Sequence, residues 1–274
     1  MRSILPAHPL RLAQALMGFA TPRFKILAYH SVGQQSRDPF EVTVVSFKDQ
    51  LQVIEDQGLR VVSLAQGWQA LMSGQILPGT LVLTFDDGFR SLQDFVFPLL
   101  ADYTFPATVF LPFAYLGRPD SFSYASPRPE FEILSREEIM ASISRGGESG
   151  LSYGSHTLSH ADLTCVTQEA LLTELVESRN QLIQLVGSGF TSLAYPFGLY
   201  DERVKLATVQ AGYDCALCFG NIMSNSRYIS PYEMKREKIL NSTSLTEFKN
   251  LIRVKNDFPR KLRHDLKRLR LVWP

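Results

Sequence analysis

The sequence is poor in the features that mark several protein classes. Its 274 residues include only 3 cysteines, too few for a disulfide framework and odd in number, which suits a reducing compartment. Net charge is nearly absent: 28 Lys and Arg against 27 Asp and Glu leave +1. No strong overall field is therefore available to hold nucleic acid. Nor is there a run of the ~18 apolar residues that a membrane-spanning helix needs. The richest stretch, 95–116, is cut by Asp102 and by Pro98, Pro106 and Pro112. Pro6, His8, Pro9 and Arg11 likewise interrupt any apolar leader, so 1–23 reads as an amphipathic segment and a cytoplasmic location is expected. No Ser/Gly-rich linker divides the chain. What is present is enough apolar material, 45% against 20% charged, to build a large core and to exclude global disorder.

From residue 24 onward, β-rich runs alternate with helical patterns. Strands are expected at 24–30, 60–64, 80–86, 107–111, 151–156, 192–196, 213–219 and 237–240. Helices are expected at 46–57, around 68–72, at 89–103 with Pro98 as a kink, and at 135–145 behind a Ser135/Glu138 capping box. Others follow at 167–186, 201–210 and 245–252. TLVLTFD (80–86) is the continuous apolar run that a parallel sheet buries on both faces. Residues 112–134, rich in Pro and aromatics, break the pattern and suggest an excursion over one end. Strand-then-helix alternation implies parallel strands joined by right-handed crossovers. About seven or eight such units without a linker favour a closed or nearly closed barrel, whose chemistry sits at the C-terminal strand ends. The division is 1–23, a barrel at 24–253, and a basic tail at 254–274.

Polar residues fall at those ends. Asp86-Asp87-Gly88 follows one run, His156 and His160 another; Tyr195-Pro196-Phe197-Gly198 ends a third, and His30 ends the first. Two carboxylates and two imidazoles on one rim suit a divalent metal, since catalytic zinc takes about three protein ligands and leaves a place for water. One helical turn would bring His156 and His160 to the same face. Without a cation, adjacent carboxylates push one pKa up. A metal removes the conflict and lowers the pKa of bound water toward ~7. Each feature alone is weak: Asp-Asp-Gly is ordinarily a turn or cap, and His-x₃-His or a lone strand-end His30 is ordinarily structural. Their joint placement points to metal-assisted hydrolysis.

TFDDG (84–88), SHTLSH (155–160) and AYPFG (194–198), in that order, resemble the three main motifs of the NodB-like polysaccharide deacetylases, carbohydrate esterase family four. LAYHSVG (27–33) resembles the opening strand of many bacterial members. The resemblance spans about 24–250 and implies a distorted (β/α)₇ barrel, here with flanking N- and C-terminal helices. It implies that Asp87, His156 and His160 hold the metal, expected to be Zn²⁺, and that Asp86 is the general base. The backbone N–H of Phe197 would help hold the oxyanion. The implied reaction removes an N-acyl, usually N-acetyl, group from an amino sugar. The sequence departs from the family twice. The Arg that often opens the third motif is Ala194, and no late-strand His is recognisable, His264 being the only histidine after His160. The opening also resembles that of family members with a YHxV start that place a first-strand His in the site, which makes His30 the candidate acid. Arg236, in MKREKI, would occupy the region of the missing late-strand motif and orient a carboxylate.

Two further features stay open. Phe258, Leu262, Leu266, Leu269 and Trp273 recur at spacings of three or four between Arg260, Lys261, Arg263, Lys267, Arg268 and Arg270. That is the pattern of an interfacial helix on anionic lipid, peripheral on the inner membrane. It equally describes a helix packed on the barrel with solvated charges. The excursion's Phe113, Tyr115, Phe122, Tyr124 and Arg118 would sit over the rim, stacked on sugar or simply packed. Cys215 and Cys218 read as core residues. The expected function is N-deacetylation in surface-glycan assembly, on polymer or a lipid-linked sugar. The alternatives are deformylation of a lipid-linked amino sugar and a catalytically idle glycan-binding module.

Overall fold

The computed structural model describes residues 24–36, 38–77, 79–122, 128–144, 150–220 and 229–253. The segments 1–23 and 254–274, with their expected helices, and Tyr124 lie outside the described residues. The strands are β1 (Lys25–Tyr29), β2 (Ser31–Gly33), β3 (Glu41–Thr43), β4 (Arg60–Val61), β5 (Thr80–Phe85) and β6 (Ala107–Leu111). They continue as β7 (Pro119–Asp120), β8 (Arg128–Glu132), β9 (Leu151–Ser155), β10 (Ser192–Ala194), β11 (Cys215–Phe219) and β12 (Met234–Lys238). The helices are α1 (Val44–Asp56), α2 (Leu64–Ser73), α3 (Phe97–Asp102), α4 (Arg136–Ser144), α5 (Gln168–Val186), α6 (Glu202–Ala211) and α7 (Leu245–Ile252).

Seven strands run in the order β1-β12-β11-β10-β9-β6-β5, all parallel, and β5 pairs back onto β1 to close the ring. The (β/α)₇ barrel is thus the observed fold. Its distortion is visible at β9 and β10, which share one register pair, Leu193 with Ser155, against five between β1 and β5. Short β4 pairs with β5 at Thr80 and Leu81, ahead of the stretch that meets β6.

Strand alternation sorts the barrel into inside and outside. Ile26, Val82, Phe110, Ala194, Leu217 and Met234 share one buried cluster, the barrel interior, with Leu64 and Leu71 of α2 packed against it. Their neighbours Leu27, Leu83 and Val109 face the helices and meet Phe47, Leu51 and Ile54 of α1. Cys215 belongs to the inner cluster and Cys218 to an outer one, both buried. One step up from the apolar inner layer come Thr84 and Arg236, and one further step brings Asp86 and Lys238. The interior therefore turns from apolar to charged toward the C-terminal rim.

Several boundaries differ from expectation for local reasons. Helix α1 begins at Val44, because the Thr43 hydroxyl accepts from the N–H of Ser46 and caps it. The helix expected around 68–72 starts at Leu64 behind a Ser63/Gln66 capping box. The helix expected over 89–103 opens with a wide π turn at Leu92–Val96. Pro98 then falls in the first turn of α3, where its missing N–H costs nothing. Strand β12 starts at Met234 rather than 237, which draws Arg236 into the ladder. The excursion forms β7 and β8, tied to the Asp86-Asp87-Gly88 loop by Leu134 N–H to the Gly88 carbonyl at 2.9 Å. Among the described residues no helix is long and apolar enough to cross a membrane.

Candidate active site

Each site residue is held where a strand ladder runs out. The Asp86 N–H donates to the Tyr29 carbonyl at 2.9 Å, that of His156 to Leu111 at 2.9 Å, and that of Tyr195 to Leu217 at 3.0 Å. Backbone pairing thus carries all three motifs onto the same rim. There they enclose a well of about 30 Å³ walled by Phe40, Phe122, Phe197 and Phe219. That is room for a bare ion or a water, plus little else.

Asp87, His156 and His160 converge on one point. Their ligand atoms all lie within 4.8 Å of one another, and all three residues are buried. Nε2 of each histidine is 3.5 Å from Oδ1 of Asp87. Nδ1 of His156 lies 2.7 Å from the Ala194 carbonyl. A carbonyl can only accept, so that nitrogen carries the proton and the Nε2 lone pair faces Asp87. Burial lowers the pKa of His156 and drives that of His160 well down, which keeps both rings neutral. Burial, reinforced by Asp86, raises Asp87 well above the usual carboxylate range. Its Oδ1 is buried without a hydrogen-bond partner among the described residues. Two imidazole lone pairs and an orphaned carboxylate oxygen are the donor set that a tetrahedral divalent cation takes, with one position left over.

The turn that brings the histidines together is not helical, contrary to the expectation from their spacing. Thr157 and His160 adopt positive φ, 69° and 58°. The N–H groups of Leu158 and Ser159 both donate to Glu174 of α5 at 2.9 Å. Four of the five described non-glycine residues with positive φ are at this rim: Asp87, Thr157, His160 and Phe197. Each such residue costs on the order of 1–3 kcal/mol, a strain that persists where surrounding structure enforces it for function. Gly88 and Gly198 extend the same geometry at φ 63° and 73°. A Cβ on Gly198 would stand 2.7 Å from the backbone nitrogen of Phe219.

Asp86 has the opposite environment. Arg236 grips it bidentately, Nη1 to Oδ1 at 2.6 Å and Nη2 to Oδ2 at 2.8 Å. The guanidinium is 1% exposed and lies 4.7 Å from the Phe219 ring centroid. Burial alone would raise the Asp86 pKa, but Arg236 outweighs it and holds the carboxyl well below its usual range. His30 stands beside it, Nε2 to Oδ2 at 4.0 Å. Burial pushes the His30 pKa down to about 4 against the pull of Asp86, so the ring is neutral at pH 7.

With this geometry in hand, similarity to known proteins is decisive. A family model described as polysaccharide deacetylase matches residues 75–216, just over half of the chain. The chain belongs to the polysaccharide deacetylase family. YxkH of Bacillus subtilis, which bears the polysaccharide deacetylase name, is 24% identical over 192 residues, covering 70% of this chain and 62% of that protein. The poly-β-1,6-N-acetyl-D-glucosamine N-deacetylase of Escherichia coli K12 is 33% identical over 87 residues, 31% of this chain and 13% of that protein. The chain thus spans less than two thirds of the length of either. The Streptococcus pyogenes deacetylase PplD, solved with acetate, superposes with a TM-score of 0.72 at 22% identity over 85% of this chain and all of that one. IcaB from Ammonifex degensii gives 0.71 at 19%, over 84% and 97%. At such identities these two show the shared barrel.

Within the family motifs, this deacetylase-family chain brings every expected site residue to one rim: His30, Asp86, Asp87, His156, His160 and Phe197 all border the well. Arg236 reaches Asp86 from β12, where the third motif offers only Ala194. Three residues were not anticipated. Glu174 holds the histidine turn, and its one sequence signal is a carboxylate on the apolar face that buries Leu171, Leu175 and Leu182. Lys238 borders the well two positions after Arg236. Asp120 of β7 is fully buried and adds to the charge that raises Asp87.

Proposed function

We propose that this protein is a metal-dependent hydrolase that removes a short N-acyl group, N-acetyl in the first place, from an amino sugar of a surface glycan. The observation that carries the reading is the convergence of Asp87, His156 and His160 beside an Arg-anchored Asp86. A divalent cation held by those three, zinc by the chemistry of the donors, would polarise the scissile carbonyl and acidify a water. Asp86 accepts the water's proton. The Arg236 fork keeps it ionised and aimed, at a cost in basicity that acidification of the water offsets. The N–H of Phe197 is assigned to the developing oxyanion, where a fixed donor is worth about 2.7–4 kcal/mol of barrier. His30, neutral at rest, can give the leaving amine only a proton it has first received. The small well favours acetyl or formyl over longer acyl chains. Acetate release from N-acetylated β-1,6-glucosamine oligosaccharides by the zinc-loaded protein tests the reading, and no release from these or from lipid-linked N-acyl sugars would refute it.

A lipid-linked substrate, including an N-formyl one, is a second reading that the basic amphipathic pattern at 254–274 favours. It goes with a protein working from the cytoplasmic face of the inner membrane. Sedimentation with anionic vesicles, with and without 256–274, tests it: binding that ignores the truncation would end that proposal.

A further inference from the structure

Strand β12 presents two cations to the barrel interior, because alternate side chains share a face. The lower one, Arg236, is committed to Asp86. The upper one, Lys238, borders the well with its ammonium 4.1 Å from the Phe219 ring centroid and 5.9 Å from that of Phe40. Among the described residues it has neither a carboxylate in ion-pair contact nor a hydrogen-bond acceptor. The titratable and charged groups that act on it are Arg236 on its own strand, Asp86 just past β5 and His30 just past the adjacent β1. An ammonium held against ring faces keeps its N–H groups available for something that enters the well.

The side on which that something arrives can be read from the neighbouring groove. A cleft of about 370 Å³ opens where β1 and β5 end, its lining beginning at Gly33 and Gln34 just past His30 and at Phe89 and Arg90 just past Asp87. Like the cleft of about 300 Å³ beyond Arg90 and Glu132, it is large enough for sugar rings, as the well is not; of the two, it is the one that borders the end of β1. A sugar lying there would bring its amide nitrogen in from the β1 side, away from Phe197 just past β10. Strand β12 is paired to β1, so Lys238 stands on the nitrogen's side of the reaction. Burial and Arg236 draw its pKa below the ordinary lysine value against the pull of Asp86, toward the range where a proton is readily given up.

We propose that Lys238 is a further catalytic residue, the resident proton donor to the leaving amine; this rests on the N-deacetylase reading above. Asp86 takes one proton from water as the new C–O bond forms. The C–N bond of the tetrahedral adduct then breaks, its electron pair goes to nitrogen, and that nitrogen takes a proton from the Lys238 ammonium. Acid and free amine leave. The proton on Asp86 returns through the neutral His30 ring, 4.0 Å away, to the Lys238 amine, and nothing is oxidised or reduced.

The test compares Lys238→Met and Lys238→Arg, each zinc-loaded and checked for metal content and melting temperature. Substrates are N-acetylated β-1,6-glucosamine oligosaccharides and 4-nitrophenyl acetate, an ester whose leaving group needs no proton. Lys238→Met should lose roughly 10²-fold or more on the amide, less than about tenfold on the ester, and the alkaline limb of its pH–rate profile. Lys238→Arg should not restore the amide reaction, because a guanidinium keeps its proton. Restoration by Arg, or equal losses on amide and ester, would overturn the donor role in favour of plain charge or packing. Wild-type protein that binds zinc yet cleaves no N-acyl sugar would instead refute the deacetylase reading on which the proposal stands.

Discussion

Asp86 and Asp87 are chain neighbours whose surroundings have almost nothing in common. On the β12 flank, Asp86 has both oxygens tied to a buried guanidinium at 2.6 and 2.8 Å. On the β9 flank, Asp87 faces two imidazole nitrogens at 3.5 Å and keeps a buried oxygen without a partner among the described residues. Burial acts on both, yet Arg236 holds one carboxyl low, while burial with the charges of Asp86 and Asp120 drives the other high. The first flank is complete in protein alone. The second offers the donor set proposed above to hold a cation. The proposed division into base and ligand follows from the strand each one faces, and agrees with the roles that the motif resemblance implies.

That contrast can be broken by deleting one carboxylate charge. Asp86→Asn should lower the rate of acetate release by about 10²–10⁴-fold, the worth of one proton-transfer group, while zinc content stays at the wild-type level. Metal lost together with activity would show that the two flanks are not separate. Arg236→Met sharpens the comparison from the other side by leaving Asp86 buried and unpaired. Such a break costs about 3–5 kcal/mol, to be read from chemical denaturation at neutral pH. The acid limb of the rate profile should also move to higher pH, since burial alone raises Asp86. The sign is consistent: a depressed carboxylate contributes stability that is present above its ordinary pKa of 3.8 and is lost only as pH falls toward the lower folded value. An unmoved acid limb would argue against Asp86 as base.

The smallest expected effect concerns the metal-free protein. His30 has a folded pKa of about 4 against an ordinary 6.5, so the unfolded chain takes up its proton first. Apo stability should fall as pH drops from 6.5 to about 4, with His156 and His160 acting in the same direction and the raised Asp87 offsetting part of the loss. Melting temperatures that stay flat across that window would contradict the buried, neutral state of these rings.

The barrel was legible because alternating β-rich and helical runs leave few other topologies, and because DDG, the histidine pair and YPFG all fall where strands end. Arg236 was legible through an absence, the unrecognisable late-strand motif whose region MKREKI occupies. The shape of the histidine turn was not. His-x₃-His suggests a helix, whereas the chain turns through left-handed Thr157 and His160, and nothing in residue type announces positive φ at a threonine. Glu174 looks like an ordinary helix-surface glutamate until its phase on α5 is known. Lys238 was hidden by a strand boundary, since a strand begun at 237 conceals the two-residue step that puts it above Arg236. The start of α1 at Val44 rather than 46, behind the Thr43 cap, is the same kind of short shift.

The most direct measurement is metal content after stripping and reloading with zinc, for the wild type, Asp87→Asn and Asp86→Asn side by side. The account predicts one tightly held zinc per chain in the wild type and in Asp86→Asn, and none retained by Asp87→Asn. A wild-type chain that keeps no zinc, or an Asp87→Asn chain that keeps it as well as the wild type, would contradict it.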